Sequence, residues 1–142
     1  MIPSWLDTET QALIADIRDT VQQWDRQRVI AIILYGSVAR HKERPLHDPQ
    51  PSDVDLLIIF HTEDPAAPYA WGISATLGAA YRRHLSAPRE VNIMFATRTL
   101  QEWDDLFIEN VARDGILLYR TSPLPTPLMA IEEHAHIEQP IP

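Results

Sequence analysis

Val29-Ile-Ala-Ile-Ile-Leu-Tyr-Gly-Ser-Val-Ala-Arg40 and, after a proline-punctuated gap, Ser52-Asp-Val-Asp-Leu-Leu-Ile-Ile-Phe60 are the stretches that decide the fold. Residues 29–35 form an unbroken apolar run rich in β-branched side chains, which predicts a strand buried on both faces. Val54–Phe60 reads the same way except for Asp55 in its midst. Gly36-Ser37 should turn the first strand into a short helix through Val38–Lys42. Glycine lets a backbone approach a ligand closely, and a helix start offers unpaired N–H groups to an anion, with the Ser37 hydroxyl as a further donor. The plainer reading is an ordinary strand-to-helix turn with Ser37 as N-cap.

The carboxylates sharpen the choice. Residues two apart on a strand share a face, so Asp53 and Asp55 should project together, about 6–7 Å apart by strand rise. Like charges held side by side call for something positive between them. A carboxylate embedded among Val54, Leu56, Leu57, Ile58 and Ile59 also needs a partner. Mg²⁺ is commonly held by one or two carboxylates plus substrate phosphates, and a metal pair explains both acids. The plainer alternative makes Asp53 a turn cap and leaves Asp55 unexplained.

Outward from this centre, Leu13, Ile14, Ile17, Val21 and Trp24 fall at helical spacing, with Thr8 and Gln11 at capping-box spacing before them. Ile73, Leu77, Tyr81 and Leu85 predict a helix over Tyr69–Leu85, weakened by Gly72 and Gly78. Glu90–Phe95 reads as a third strand. Thr99 and Glu102 resemble a second capping box, before a helix carrying Trp103, Leu106, Phe107 and Val111. Gly115 sits where that helix would end, and Ile116–Tyr119 reads as a fourth strand. The order α-β-α-β-α-β-α-β, ending near residue 120, predicts an α/β (two-layer α+β) domain with helices packed on a sheet of about four strands. Alternation alone leaves the strand directions open. The domain is expected over residues 1–120. Thr121–Pro142 holds five of the twelve prolines and is expected to be a tail, disordered or docked onto something else.

The chain has 142 residues, 45% of them apolar and 23% charged, with a net charge of −8. That suits one globular domain and opposes strong binding to nucleic acid, which needs a Lys/Arg excess. The absence of cysteine excludes thiolate catalysis and Cys-based metal sites. No apolar run approaches the ~20 residues that span a bilayer, and no secretory signal is visible. The expectation is a cytoplasmic chain without membrane contact.

Gly-Ser, a spacer, then Asp-x-Asp at the start of an apolar strand resembles the DNA polymerase β-like nucleotidyltransferases. GSVAR followed by SDVDLLIIF is most similar to the minimal nucleotidyltransferases, or MNT proteins, and the likeness continues through Phe107–Tyr119. The resemblance implies a mixed sheet, two Mg²⁺ ions and transfer of AMP from ATP. Gly36, Ser37 and Arg40 would bind the nucleoside triphosphate, while Asp53 and Asp55 would be the catalytic metal ligands. It further implies an antitoxin paired with a HEPN-type RNase toxin, adenylylating that partner. A core of this size lacks a separate acceptor-binding domain, which agrees with a substrate borrowed as a partner.

Two departures stand out. The stretch between Arg40 and Ser52 is longer than the family's usual spacer and should form a loop beside the site. The family's third aspartate falls most plausibly at Asn92, which can ligate a metal through its carbonyl but cannot act as a base. Glu90, two residues earlier on the same strand face, would substitute only if the strand were shifted. Asn92 therefore favours an alternative: a noncatalytic MNT-fold module that neutralises a partner by contact. Elsewhere the plainer readings prevail. His134 and His136 beside Glu132 and Glu133 are expected to be solvated, Arg82, Arg83 and His84 to be a helix face, and Trp24, Trp71 and Trp103 to be core packing.

Overall fold

The computed structural model describes residues 2–132. The elements run α1 (Thr8–Trp24), β1 (Val29–Tyr35), α2 (Gly36–Ala39), β2 (Val54–Phe60), α3 (Ala67–Ala70), α4 (Ile73–Arg83), β3 (Val91–Thr97), α5 (Asp105–Asp114) and β4 (Ile116–Arg120), followed by a 3₁₀ turn at Thr126–Leu128. The four strands lie in the order β3-β2-β1-β4. β1 is antiparallel to both β2 and β4, whereas β2 and β3 are parallel, so the sheet is mixed. The parallel pair is possible because α3 and α4 carry the chain back across the sheet between those two strands.

Side-chain alternation splits the core in two. On one face Ile32, Leu34, Leu56, Ile58 and Phe60 pack with Ile14, Ile17 and Val21 of α1 and Leu77 of α4. On the other, Ile33, Leu57, Ile59 and Ala96 pack under Val111 of α5 and under Leu124, Leu128 and Ile131. Full burial of each large apolar side chain is worth about 1.5–3 kcal/mol, so residues 121–132 contribute a substantial share of that second layer. The rest of the expected tail, with His134 and His136, lies outside the described residues. Between α1 and α4, Arg83 grips Asp16 with Nε at 2.7 Å and Nη2 at 2.9 Å, and His84 Nε2 lies 2.8 Å from the same carboxylate. Arg82 stays exposed. Trp24 and Trp71 each present an edge to Phe60 at 6.3 Å.

Several local expectations are corrected. Asp7, not Thr8, caps α1: its carboxylate accepts from Thr10 N–H at 2.9 Å, while the Gln11 amide donates to Leu6 C=O at 2.6 Å. A carboxylate is the stronger acceptor and is favoured by the helix dipole. Asp104 caps α5 in the same way, accepting from Phe107 N–H at 2.7 Å, so Trp103 precedes the helix. Glu102 instead holds the N–H and the hydroxyl of Thr97, ending β3. The helix expected over residues 69–85 is two helices, because Gly72 turns left-handed at φ 85°. α2 stops at Ala39 rather than Lys42, and His41 follows at φ 57°.

Candidate active site

The site forms where β1 ends. Tyr35 pairs with Asp55 across the antiparallel ladder, and Asp55 pairs with Asn92 across the parallel one. Tyr35, Asp55 and Asn92 therefore stand in one row over three strands. Gly36 follows directly at φ 80°, and a Cβ built there would collide with the Asp55 carboxylate. Only glycine accepts both that backbone conformation and that contact. The turn into α2 and the acid on β2 consequently share one surface.

Asp53 lies just before β2 on the same face. The Asn92 amide donates to Asp53 Oδ2 at 3.0 Å and to Asp55 Oδ1 at 3.5 Å, so one carboxamide bridges both acids. Burial pushes the Asp55 carboxyl above the usual carboxylate range; the Asn92 hydrogen bond opposes this, and the Asp53 charge adds to it. The Tyr35 hydroxyl is pushed up to about 12, by burial first and by Asp55 second. Unfavourable negative charge is thus built into this corner. Two carboxylates with a carboxamide that can turn its oxygen inward form a hard-donor set suited to Mg²⁺. Among the described residues, no group of three or more His, Cys, Asp or Glu is placed to hold a metal ion.

The other expected site residues fall around this centre. Ser37 is partly exposed on α2, and its carbonyl accepts from Lys42 N–H at 2.8 Å. Arg40 faces Asp114 of α5 at 4.0 Å rather than the acid pair. Glu90 is exposed and supplies its main-chain carbonyl to Val54 N–H at 2.8 Å. That bond fixes the β2/β3 register and leaves Asn92 opposite Asp55, so Asn92 occupies the third position of the row. The long segment after Arg40 folds back on itself: Arg44 N–H donates to Ser52 Oγ at 2.7 Å, and Arg44 Nε donates to Gln50 C=O at 2.6 Å.

The family model for polymerase beta nucleotidyltransferases matches residues 16–124. The chain belongs to this nucleotidyltransferase family. No curated protein matches it. Among solved structures, a toxin–antitoxin with AMP-PNP is 18% identical at TM-score 0.48, covering 93% of this chain and 90% of that one. A mutant of the toxin–antitoxin MntA-HpeT is 17% identical at TM-score 0.48, covering 94% and 90%. In this nucleotidyltransferase domain no helix among the described residues is long and apolar enough to cross a membrane.

Two residues near the site, Arg89 and Trp5, have no sequence signal. Arg89 is buried, and its Nη1 donates at 2.7 Å to the carbonyl of Ser52, the residue before Asp53. Trp5 Nε1 donates to Val38 C=O in α2 at 3.0 Å. Phe107 packs edge-on to Tyr35 at 5.4 Å and stacks on Trp103 at 4.6 Å, extending an aromatic row away from the acids. Nothing in a lone Arg or Trp shows which neighbour it will meet; only the tertiary structure does.

Proposed function

We propose that this domain transfers AMP from Mg²⁺-bound ATP to a side chain of a partner protein, as the antitoxin of a HEPN/MNT-type pair. The observation that carries the reading is the contact of the Asp55 carboxylate with Gly36, which joins the acid pair and the Gly-Ser turn into one binding surface. In this reading Gly36 admits the triphosphate to the backbone, and the Ser37 hydroxyl donates to its oxygens. Asp53 and Asp55 hold the metal, with Asn92 turning its carbonyl toward it. When bound, Mg²⁺ supplies the positive charge that offsets the phosphate oxygens. Asn92 cannot take a proton from the acceptor hydroxyl. The domain's own contribution is therefore positioning and charge compensation, which together lower most of the barrier in phosphoryl-group chemistry. The acceptor and the antitoxin role rest on the likeness of GSVAR and SDVDLLIIF to the MNT proteins.

One observation favours a second reading. The position opposite Asp55 holds Asn92, whose amide donates to both acids and cannot act as a base, as suits a noncatalytic module that neutralises its partner by contact. Incubation with labelled ATP, Mg²⁺ and a purified HEPN-type partner decides between them. Label on the partner that disappears with Asp53→Ala and Asp55→Ala supports transfer. Neutralisation that persists in that double variant, with no label in the wild type, supports the contact module.

A further inference from the structure

The two halves of the site are connected from behind by a segment that precedes α1. Trp5 and Asp7 lie outside the residues matched by the family model, which begin at 16. Trp5 Nε1 donates at 3.0 Å to the carbonyl of Val38, the residue after Ser37. The indole also stacks on His41, with centroids 4.5 Å apart and planes 18° apart. Those two contacts hold the end of α2, whose four residues are too few to be stable alone. Two residues on, Asp7 uses one oxygen to cap α1 and points the other, Oδ1, at Arg89 Nε, 3.8 Å away. Arg89 then donates to Ser52 C=O at 2.7 Å, at the entry to Asp53. Leu6, between them, is buried in the core and fixes the segment in place.

Charge and burial give this chain of contacts its stiffness. The Arg89 side chain is 5% exposed and that of Asp7 16%. Removing one member of a buried charge pair leaves the other uncompensated, so the pair resists separation. Asp7 Oδ1 and Arg89 Nε have no hydrogen-bond partner of their own, so each depends on the other's charge.

We propose that Trp5–Asp7 is a positioning strap, and that Trp5 and Arg89 are positioning residues that set the Gly36–Ser37 turn relative to Asp53. The proposal rests on the reading above for what the turn and the acids bind, but not for the mechanical coupling itself. Displacing either end of the strap loosens both halves of the site, although Trp5 holds α2 and His41 while Arg89 holds the segment before β2.

Hydrogen exchange on the full chain tests the coupling without any ligand, comparing wild type, Trp5→Phe, Arg89→Lys and the double variant. Trp5→Phe keeps an aromatic ring at an exposed position, removes the indole donor and narrows the stack on His41, and so leaves the fold intact while loosening the hold on α2. It should speed exchange about fivefold over residues 36–42, as expected for loss of a hydrogen bond worth about 1 kcal/mol. It should also speed exchange over residues 53–57, while residues 73–83 in α4 stay unchanged. Arg89→Lys should give the mirror pattern, and the double variant less than the product of the two singles. Acceleration confined to 36–42 in Trp5→Phe, or equal acceleration in α4, overturns the strap. Titration with Mg²⁺-ATP separates this from the functional reading. Weakened affinity in both variants agrees with the strap. Failure of the wild type to bind ATP contradicts the functional reading, while the exchange pattern still decides the strap.

Discussion

The Asn92 side-chain amide donates to Asp53 Oδ2 at 3.0 Å while reaching Asp55 Oδ1 at 3.5 Å, placing a neutral donor where a third acid would crowd two others. Replacing it reverses the local electrostatics. Asn92→Asp should lower metal-free stability by about 1.4 kcal/mol or more, the equivalent of one further pKa unit of repulsion in the trio. Mg²⁺ should restore more stability to that variant than to the wild type. Thermal unfolding with and without Mg²⁺ reads both effects, and under the transfer reading adenylylation should rise as well.

Gly36→Ala confronts two obstacles at once: a left-handed backbone at φ 80° and a collision with the Asp55 carboxylate. The expected loss is about 1–3 kcal/mol in urea unfolding, with ATP affinity falling in parallel. Gly72→Ala, also at positive φ but with nothing within 4 Å of the added carbon, should lose stability alone.

Asp55 titrates above the usual carboxylate range. A raised folded-state value stabilises the protein below the unfolded pKa, and that contribution is lost as pH rises through the folded value. Without metal, Asp55→Asn should therefore be more stable than wild type at pH 7, and the gap should close as the pH drops below the unfolded carboxylate value of about 3.9. Chemical denaturation across that range measures the difference directly.

Asp16 behaves in the opposite sense. Hydrogen bonds from Arg83, Thr20 and His84 hold its carboxyl well below the usual range, against a smaller cost of burial. Its stabilisation is present above the unfolded pKa of about 3.9 and is lost as pH falls toward the folded value. The Arg83 partner is half exposed, so solvent screening limits the contribution. Asp16→Asn should cost about 1 kcal/mol or less at pH 7, and less in high salt.

Much of this architecture is legible in the sequence because its signals are local. The apolar runs at 29–35 and 54–60 have the length and β-branched content of buried strands, and Asp55 inside the second one advertises a site. The mixed strand directions are not legible from alternation, since they depend on which strands meet rather than on any one segment. The caps mislead because Thr8 and Thr99 match a pattern while Asp7 and Asp104 offer better acceptors, one residue before Thr8 and five residues after Thr99. Leu124, Leu128 and Ile131 fall at helical spacing, but Pro123, Pro125 and Pro127 break the helix that spacing would otherwise predict, so their burial is hard to read from the sequence. Arg89 looks like any charged loop residue, because only its long-range neighbours Asp7 and Ser52 justify its burial. Position 92 is the reverse case: its strand is readable in the sequence, whereas its bridging of both acids emerges only from the register.

Calorimetric titration of ATP, with and without Mg²⁺, into wild type and the Asp53→Asn/Asp55→Asn double variant tests the central claim most directly. The wild type should bind Mg²⁺-ATP and lose at least about tenfold in affinity, about 1.4 kcal/mol, when either the metal or the acid pair is removed. Equal affinity in all the arms, or no binding by the wild type with Mg²⁺ present, would contradict it.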